Sequence, residues 1–127
     1  MKQELIEFFD AYTVSFEESA ASIAAFYSEP CITARGGNVR ANGSNSDIIE
    51  FFGAVLTQYR ARGLKRGDYD MLELRSLGSN SAFATIHWRY RNDEGHVLWE
   101  SIFSYNLYKR GGVWKILLQT MHDDATT

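Results

Sequence analysis

The spacing of apolar residues changes once along the chain, near Gly67, and this change constrains the fold most. Before it, apolar residues recur at helical spacing, beginning with the stripe Leu5, Phe9, Tyr12 and Phe16. After it, apolar and polar residues alternate, which is typical of strands. Turn signals at residues 78–80, 92–95 and 111–112 divide this second half. The sequence therefore predicts four antiparallel strands there.

Three helices are predicted in the first half. The first follows the opening stripe, and the second, a short one, covers residues 20–27 and is stopped by Pro30. The third begins after Ser44 or Ser46 as its cap and ends at Gly63. A small hairpin of residues 31–34 and 38–41 lies between them. The predicted fold is α+β, with three N-terminal helices packed on a strongly curved, mainly antiparallel sheet.

Length and charge narrow the function classes. A chain of 127 residues supports one domain over residues 1–127. The formal net charge of -3 gives no general attraction for nucleic acid. No apolar run is long enough to cross a bilayer, Cys31 has no second cysteine to pair with, and the opening residues do not resemble a signal sequence. We therefore expect a cytoplasmic protein that binds neither nucleic acid nor membrane.

Turn lengths predict how the strands pair, because a shift of one residue exchanges the two faces of a sheet. The tight turn at residues 111–112 pairs Arg110 with Val113 and Leu107 with Ile116. A bulged turn at Gly95 pairs Arg91 with Val97, and uninterrupted alternation then pairs His87 with Ser101. The same reasoning sets Asp70 opposite Arg89, and Ser101 opposite His122.

One face of this sheet is predicted to line a hollow beneath the helices. A polar row of His87, Ser101 and His122 crosses it, with Thr85, Thr120, Arg89 and Asp70 nearby. The expected walls are aromatic: Tyr12, Phe16, Phe52, Tyr59, Trp99, Phe103 and Trp114. Polar groups inside apolar walls are typical of small-molecule pockets.

The opposite face is predicted to be too apolar to remain in water. It carries Ile86, Trp88, Tyr90, Ile102 and Leu117. Because the helices can cover only one side of the sheet, we expect this outer face to form a homodimer.

The order of elements, with the strings EFFDAY at residues 7–12, AAFYSEP at 24–30 and GGVWKI at 111–116, resembles the NTF2-like superfamily. The likeness covers the whole chain and is nearest to the SnoaL-like and DUF4440-type members, which have a cystatin-like α+β cone. It implies a curved sheet wrapped on helices, a pocket at the wide end and frequent dimers through the outer sheet face.

Catalytic members of that superfamily supply three comparisons. Where ketosteroid isomerases place a carboxylate base after the second helix, this sequence has Arg35, so isomerase chemistry is disfavoured. Epoxide hydrolases use an aspartate, arginine, aspartate relay, of which Asp70 and Arg89 supply only half. Cyclases of the SnoaL type use a late acidic residue, and Asp123 and Asp124 match that position poorly.

His87 and His122 remain as the candidate catalytic pair, since imidazole exchanges protons near neutral pH. Two histidines are too few ligands for an ordinary zinc site, so neither a metal nor a cofactor is expected. The function predicted is binding of a small, partly apolar molecule, with general acid-base chemistry at the histidines as an enzymatic version. The alternative is a non-catalytic homodimeric interaction or scaffold module that works through the outer sheet face.

Overall fold

The computed structural model describes residues 1–123, which form three helices and a six-stranded sheet. The helices are α1 (Lys2–Ser15), α2 (Ala20–Ala24) and α3 (Asn45–Ala61). The strands are β1 (Tyr27–Arg35), β2 (Asn38–Asn42), β3 (Arg66–Ser76), β4 (Ser81–Arg91), β5 (Val97–Arg110) and β6 (Val113–Met121). None of the described helices is long and apolar enough to cross a membrane.

Helix α3 forms as the sequence predicts. The Ser44 hydroxyl accepts a hydrogen bond of 3.2 Å from the Asp47 backbone N–H, which satisfies a donor that the first turn leaves unpaired. Just beyond the helix, Gly63 adopts φ +98°, a conformation that glycine accepts without steric cost. Only α1 and α3 are long. Helix α2 has five residues and ends at Ala24, because Tyr27 already belongs to β1; the predicted second helix over residues 20–27 is therefore too long.

The sheet is mixed, with strand order β2-β1-β6-β5-β4-β3. The predicted hairpin of β1 and β2 is confirmed, with Arg35 opposite Asn38. The four later strands form the predicted antiparallel meander. Strand β1 adds to β6 in parallel, a long-range pairing that no local turn signal indicates.

Three β-bulges change the predicted register. Arg110 pairs with Val113, Leu107 with Ile116, and Arg91 with Val97, as the turns predict. Beyond these pairs, one extra residue enters each ladder, and the extra residues are Leu72, Leu98 and Leu117. An unpaired residue reverses the alternation that follows it. His87 consequently lies opposite Ile102, and Ser101 lies opposite Trp88.

The bulges reverse the predicted facing of β4. Ile86, Trp88 and Tyr90 were assigned to the outer face, but they point towards the helices and are at most 7% exposed. The ring of Trp88 lies 5.9 Å from that of Tyr12 in α1. The predicted dimer surface is therefore wrong at these three residues; Ile102 and Leu117 remain outside the helix-covered core, and Leu117 is 39% exposed.

The core lies between the helices and the inner sheet face, and Tyr12 occupies its centre. This side chain is fully buried, and its ring lies within about 6 Å of aromatic rings from β1, β4 and β5. Aromatic side chains bury large apolar areas and favour edge-to-face contacts of this kind. Packing against Tyr12 therefore joins α1 to both halves of the sheet.

Two isoleucines on neighbouring strands test the corrected facing. Ile86 is fully buried on the inner face and Ile102 is half-buried on the outer face. Because Ile86→Ala leaves a cavity in the core, we expect it to lower the free energy of unfolding by about 2–5 kcal/mol. We expect Ile102→Ala to cost about 1 kcal/mol. Urea denaturation measures both, and an equal or reversed order would show that the faces are misassigned.

Candidate small-molecule pocket

A cavity of about 30 Å³ lies between α1, α3 and the inner face of the sheet. It is roughly ten times smaller than the ~300–1,000 Å³ of a site for a drug-sized ligand, because aromatic side chains fill most of the hollow. Four residues predicted as walls lie in its lining: Tyr12, Phe16, Phe52 and Tyr59. Trp88, Tyr90, Tyr105, Arg35 and Gln119 also line it and were not predicted as walls.

Buried hydroxyls form a network at the cavity floor. The hydroxyls of Tyr12 and Tyr27 share a hydrogen bond of 2.6 Å, and the side-chain amide of Gln119 donates to Tyr27 at 2.9 Å. The indole N–H of Trp88 donates to the Tyr105 oxygen at 2.9 Å. Burial raises the pKa of Tyr12, Tyr27 and Tyr105, so these phenols stay protonated. The floor therefore offers neutral hydroxyls and no base.

Other predicted wall residues face inward without reaching the cavity. Trp99 stacks on Tyr90 at a centroid distance of 4.6 Å, and the Ser101 hydroxyl shares a 2.8 Å hydrogen bond with the Tyr90 hydroxyl. Phe103 is buried beside Tyr105. Trp114 is buried near the start of α1, where its indole N–H donates to Glu4 at 3.4 Å. The structure therefore separates these residues from the cavity itself.

Arg35 supplies the cationic group of the cavity wall. It ends β1, and its Nη2 atom donates to the Tyr59 hydroxyl at 2.9 Å. The guanidinium carbon lies 5.9 Å from the centre of the Tyr59 ring and 5.5 Å from that of Phe103. Such contacts stabilise a cation over an aromatic face.

Within the described residues 1–123, two buried oxygens on the inner face have no hydrogen-bond partner. They are Oε1 of Gln119 and Oγ1 of Thr33, in side chains that are 2% and 1% exposed. Thr33 and Gln119 pair directly across β1 and β6, and Arg35 follows two residues after Thr33. An unsatisfied buried acceptor costs about 1–3 kcal/mol, so a hydrogen-bond donor at either oxygen would be stabilising.

The two histidines do not lie in the cavity. His87 pairs with Ile102, and the backbone N–H of His122 donates to the carbonyl of Ile102 at 2.8 Å. The two histidines do lie in one row across the sheet, but Ile102 takes the place of Ser101 on β5, and the row lies on the outer face. The prediction that His87, His122, Thr85, Thr120 and Ser101 share one polar patch in the hollow is therefore wrong. Only Ser101 points inward.

Each histidine has a polar partner on the outer face. Nε2 of His87 lies 2.7 Å from Glu100 Oε1. Nε2 of His122 lies 2.7 Å from the Ser104 hydroxyl, which shares a 2.8 Å hydrogen bond with Thr85. Ser104 and Thr85 are each 8% exposed. These contacts connect β4, β5 and the end of β6.

Asp70 and Arg89 form an ion pair, but on the outer face. Arg89 Nη1 donates to Asp70 at 2.6 Å, and Nε of Arg89 and of Arg91 both donate to Asp68. Burial alone raises the pKa of Asp68, but the hydrogen bonds from Arg91 and Arg89 outweigh it and hold that pKa below its ordinary value. The hydrogen bond from Arg89 likewise lowers the pKa of Asp70. This network ties β3 to β4.

No arrangement typical of a metal site occurs within residues 1–123, where no three His, Cys, Asp or Glu side chains cluster. Of the late acidic residues, Asp123 is exposed and Asp124 lies outside the described residues. Burial raises the pKa of the Cys31 thiol, although Asn42 opposes this effect, so the thiolate form is disfavoured at neutral pH.

Comparison with known families supports the fold. A family model described as NTF2-like protein (DUF6841) matches residues 3–124. No curated protein matches the sequence.

Solved structures similar to this chain share its architecture at low sequence identity. Aln2 from a Streptomyces species has 15% identity and a TM-score of 0.79, over 97% of this chain and 90% of its own. A domain of unknown function with a cystatin-like fold from Nostoc punctiforme has 17% identity and a TM-score of 0.73, over 94% and 75%. A ketosteroid isomerase-like protein from Erwinia carotovora atroseptica has 15% identity and a TM-score of 0.68, over 91% and 89%. At these identities the likeness shows the fold alone.

The Asp68 network predicts a pH-dependent contribution to stability. Because the pKa of Asp68 is lower in the folded protein, its stabilising effect is present above its unfolded pKa of about 3.9 and is lost as pH falls through the folded value. We expect Asp68→Asn to lower the melting temperature at pH 7 by roughly 2–5 °C, and the difference from wild type to shrink towards pH 3.

Thermal unfolding between pH 3 and 7 measures this difference. Glu73→Gln is the matched control, because Glu73 is exposed on the same strand and pairs only with Arg75 among the ion pairs of residues 1–123. A difference between wild type and Asp68→Asn that stays constant with pH would contradict the assignment.

Proposed function

The chain belongs to the NTF2-like family DUF6841, and we propose that its inner cavity binds a small, partly apolar molecule that carries a polar group. The observation that carries this proposal is the Gln119 side-chain oxygen, which belongs to a residue of the cavity wall, is buried, and has no hydrogen-bond partner among residues 1–123. Buried polar atoms without partners are rare in folded proteins. A guest with a hydrogen-bond donor would satisfy this one.

The rest of the lining supports the apolar part of the proposal. Phe16, Phe52 and Val55 offer carbon surface, while Tyr59 and Arg35 add polar atoms at one side. Pockets for small molecules combine predominantly apolar walls with a few placed polar groups. The volume of about 30 Å³ holds only about one or two water molecules, so a guest of the size of isobutyrate or benzoate requires the half-buried Phe16 or Arg35 side chain to move.

The proposed activity is binding, without a catalytic step at the histidines. His87 and His122 lie on the outer face, so neither can exchange a proton with a molecule in the cavity. Burial raises the pKa of Tyr12, Tyr90 and Tyr105, which line the cavity, so these phenols stay protonated. General acid-base chemistry requires a group within hydrogen-bond reach of the substrate and with a suitable pKa.

A homodimer through the outer sheet face is the second candidate. Ile102 and Leu117 retain partly exposed apolar surface there, on the side opposite the helices. Apolar surface outside the core favours contact with a partner. The charged groups of β3 and β4 would then lie within or beside the contact.

Filling the cavity tests the binding proposal. We expect wild type to bind at least one of isobutyramide, cyclopentanol, isobutyrate and benzoate, detected by chemical-shift changes at residues that line the cavity. Val55→Phe places a ring where Val55 lines the cavity, so it should weaken that binding by about tenfold or more.

Two further variants make this test specific. Ile49→Phe is the matched control, because Ile49 is on the same helix but does not line the cavity. Phe16→Ala enlarges the hollow and should favour benzoate over isobutyrate more than wild type does. Absence of binding by wild type, or equal binding by Val55→Phe, would refute the proposed function.

Sedimentation of the purified protein tests the dimer. We expect a concentration-dependent dimer that Ile102→Arg disrupts, because a charge buried in an interface without a partner is costly. Val39→Arg is the control, since Val39 is 77% exposed on β2, away from the β4 and β5 face. A wild-type monomer at high micromolar concentration would refute this candidate.

A further inference from the structure

We propose that the guest of the cavity is a small carboxylate with an apolar body, that Arg35 binds its carboxylate, and that a hydroxyl or another donor on the same guest bonds to the Gln119 oxygen. This inference rests on the proposed function, because it assigns the chemical class of the molecule that the same cavity would bind. It starts from the charge balance around Arg35.

Arg35 has no carboxylate partner among residues 1–123, and the five other arginines that also lack one do not line the cavity. Arg75, Arg89 and Arg91 each form an ion pair with an aspartate or glutamate. Those three arginines lie on the outer, wetter face of the sheet. Arg35 is half-buried on the inner face, where the cost of an uncompensated charge is higher. The described part of the chain therefore places a cation in the pocket wall without supplying the matching anion.

The donors of Arg35 are largely unused by the protein. A guanidinium carries five N–H donors, and only the bond from Nη2 to the Tyr59 hydroxyl links it to another described side chain. Planar, forked donors match the two oxygens of a carboxylate, and such paired bonds are among the strongest hydrogen bonds in proteins. The group is thus available for an external acceptor.

The orientation of Arg35 is fixed before any anion arrives. The guanidinium lies over the rings of Tyr59 and Phe103, and the bond to Tyr59 restrains one end of the fork. Burial opposes its charge, but the interactions with Tyr59, Tyr90 and Tyr27 together outweigh this effect and raise the pKa of Arg35 above its ordinary value. A preorganised donor loses little side-chain entropy when it binds.

Its position also favours entry of a charged guest. Arg35 and Val55 line the cavity on one side and an open surface groove between β1, β2 and α3 on the other. A molecule in the groove therefore meets the guanidinium first, and its apolar body then faces the aromatic walls. Low local polarity around the cavity strengthens the attraction between the two charges.

Matched pairs of acids and amides test the assignment. Isobutyrate with isobutyramide, and benzoate with benzamide, differ in charge while keeping nearly the same shape. We expect wild type at pH 7 to bind at least one of the two acids about tenfold or more tightly than its amide, measured by NMR titration. Arg35→Gln should abolish this preference, and Arg35→Lys should keep part of it because it keeps the charge but loses the fork.

Arg62→Gln is the matched control. Arg62 also lies over an aromatic ring, that of Trp99 at 3.8 Å, but it does not line the cavity, so this variant should retain the full preference for acids. Thermal unfolding of each variant without ligand checks that it folds. If Arg35→Gln does not fold, the reduced preference for acids expected of Arg35→Lys tests the assignment.

The outcomes separate the two proposals. If amides bind as tightly as acids and Val55→Phe weakens both, the cavity is a binding site but the carboxylate assignment is wrong. If acids are preferred and Arg35→Gln leaves the preference unchanged, another group binds the anion and the inference also fails. If neither these four compounds nor cyclopentanol binds, both proposals fall.

Discussion

The buried contact between Tyr12 and Tyr27 holds the two halves of this protein together. Tyr12 belongs to α1 and Tyr27 begins β1, so their shared hydrogen bond of 2.6 Å joins the first helix to the strand that extends the sheet. Gln119 of β6 donates to the same Tyr27 oxygen. A polar contact of this kind, closed off from water, is strong when satisfied and costly when broken. The floor of the cavity is built on it.

The hydrogen bonds of that network determine which polar groups of the cavity wall remain available to a guest. Because the phenols satisfy one another, they leave little hydrogen-bonding capacity for a guest, and burial keeps them protonated. The unused capacity is concentrated at Gln119 and Arg35, which come from neighbouring parts of β6 and β1. These strands pair in parallel through a long-range contact. The polar side of the site therefore exists only because β1 joins β6.

On the outer face, histidine, arginine and aspartate side chains stabilise the sheet and do not contribute to the cavity. His87, Arg89, Asp68 and Asp70 form cross-strand contacts between β3, β4 and β5. Pairs of opposite charge on adjacent strands stabilise a sheet by modest amounts. From the sequence, His87 and His122 were predicted to be a catalytic pair. In the structure they lie outside the hollow.

The sequence by itself determined the element order and the turns. Local signals were sufficient for these features: the Ser44 cap, the glycine turns and the change of apolar spacing near Gly67 each act within a few residues. The aromatic residues of α1 and α3 that line the cavity were predictable for the same reason, whereas the NTF2-like fold was predicted from the resemblance of the whole chain to that superfamily.

The facing of β4 and the polar residues of the cavity were decided by tertiary structure. Leu72, Leu98 and Leu117 carry no signal that marks a bulge, yet each reverses the alternation beyond it. The bulge at Leu98 moved Trp88 into the core and His87 out of it. Likewise, the sequence identified Arg35 only as the residue that stands where ketosteroid isomerases have a carboxylate base. Its unpaired charge became visible when β1 and α3 placed it in the cavity wall. Register and burial depend on contacts between distant segments, which local pattern does not contain.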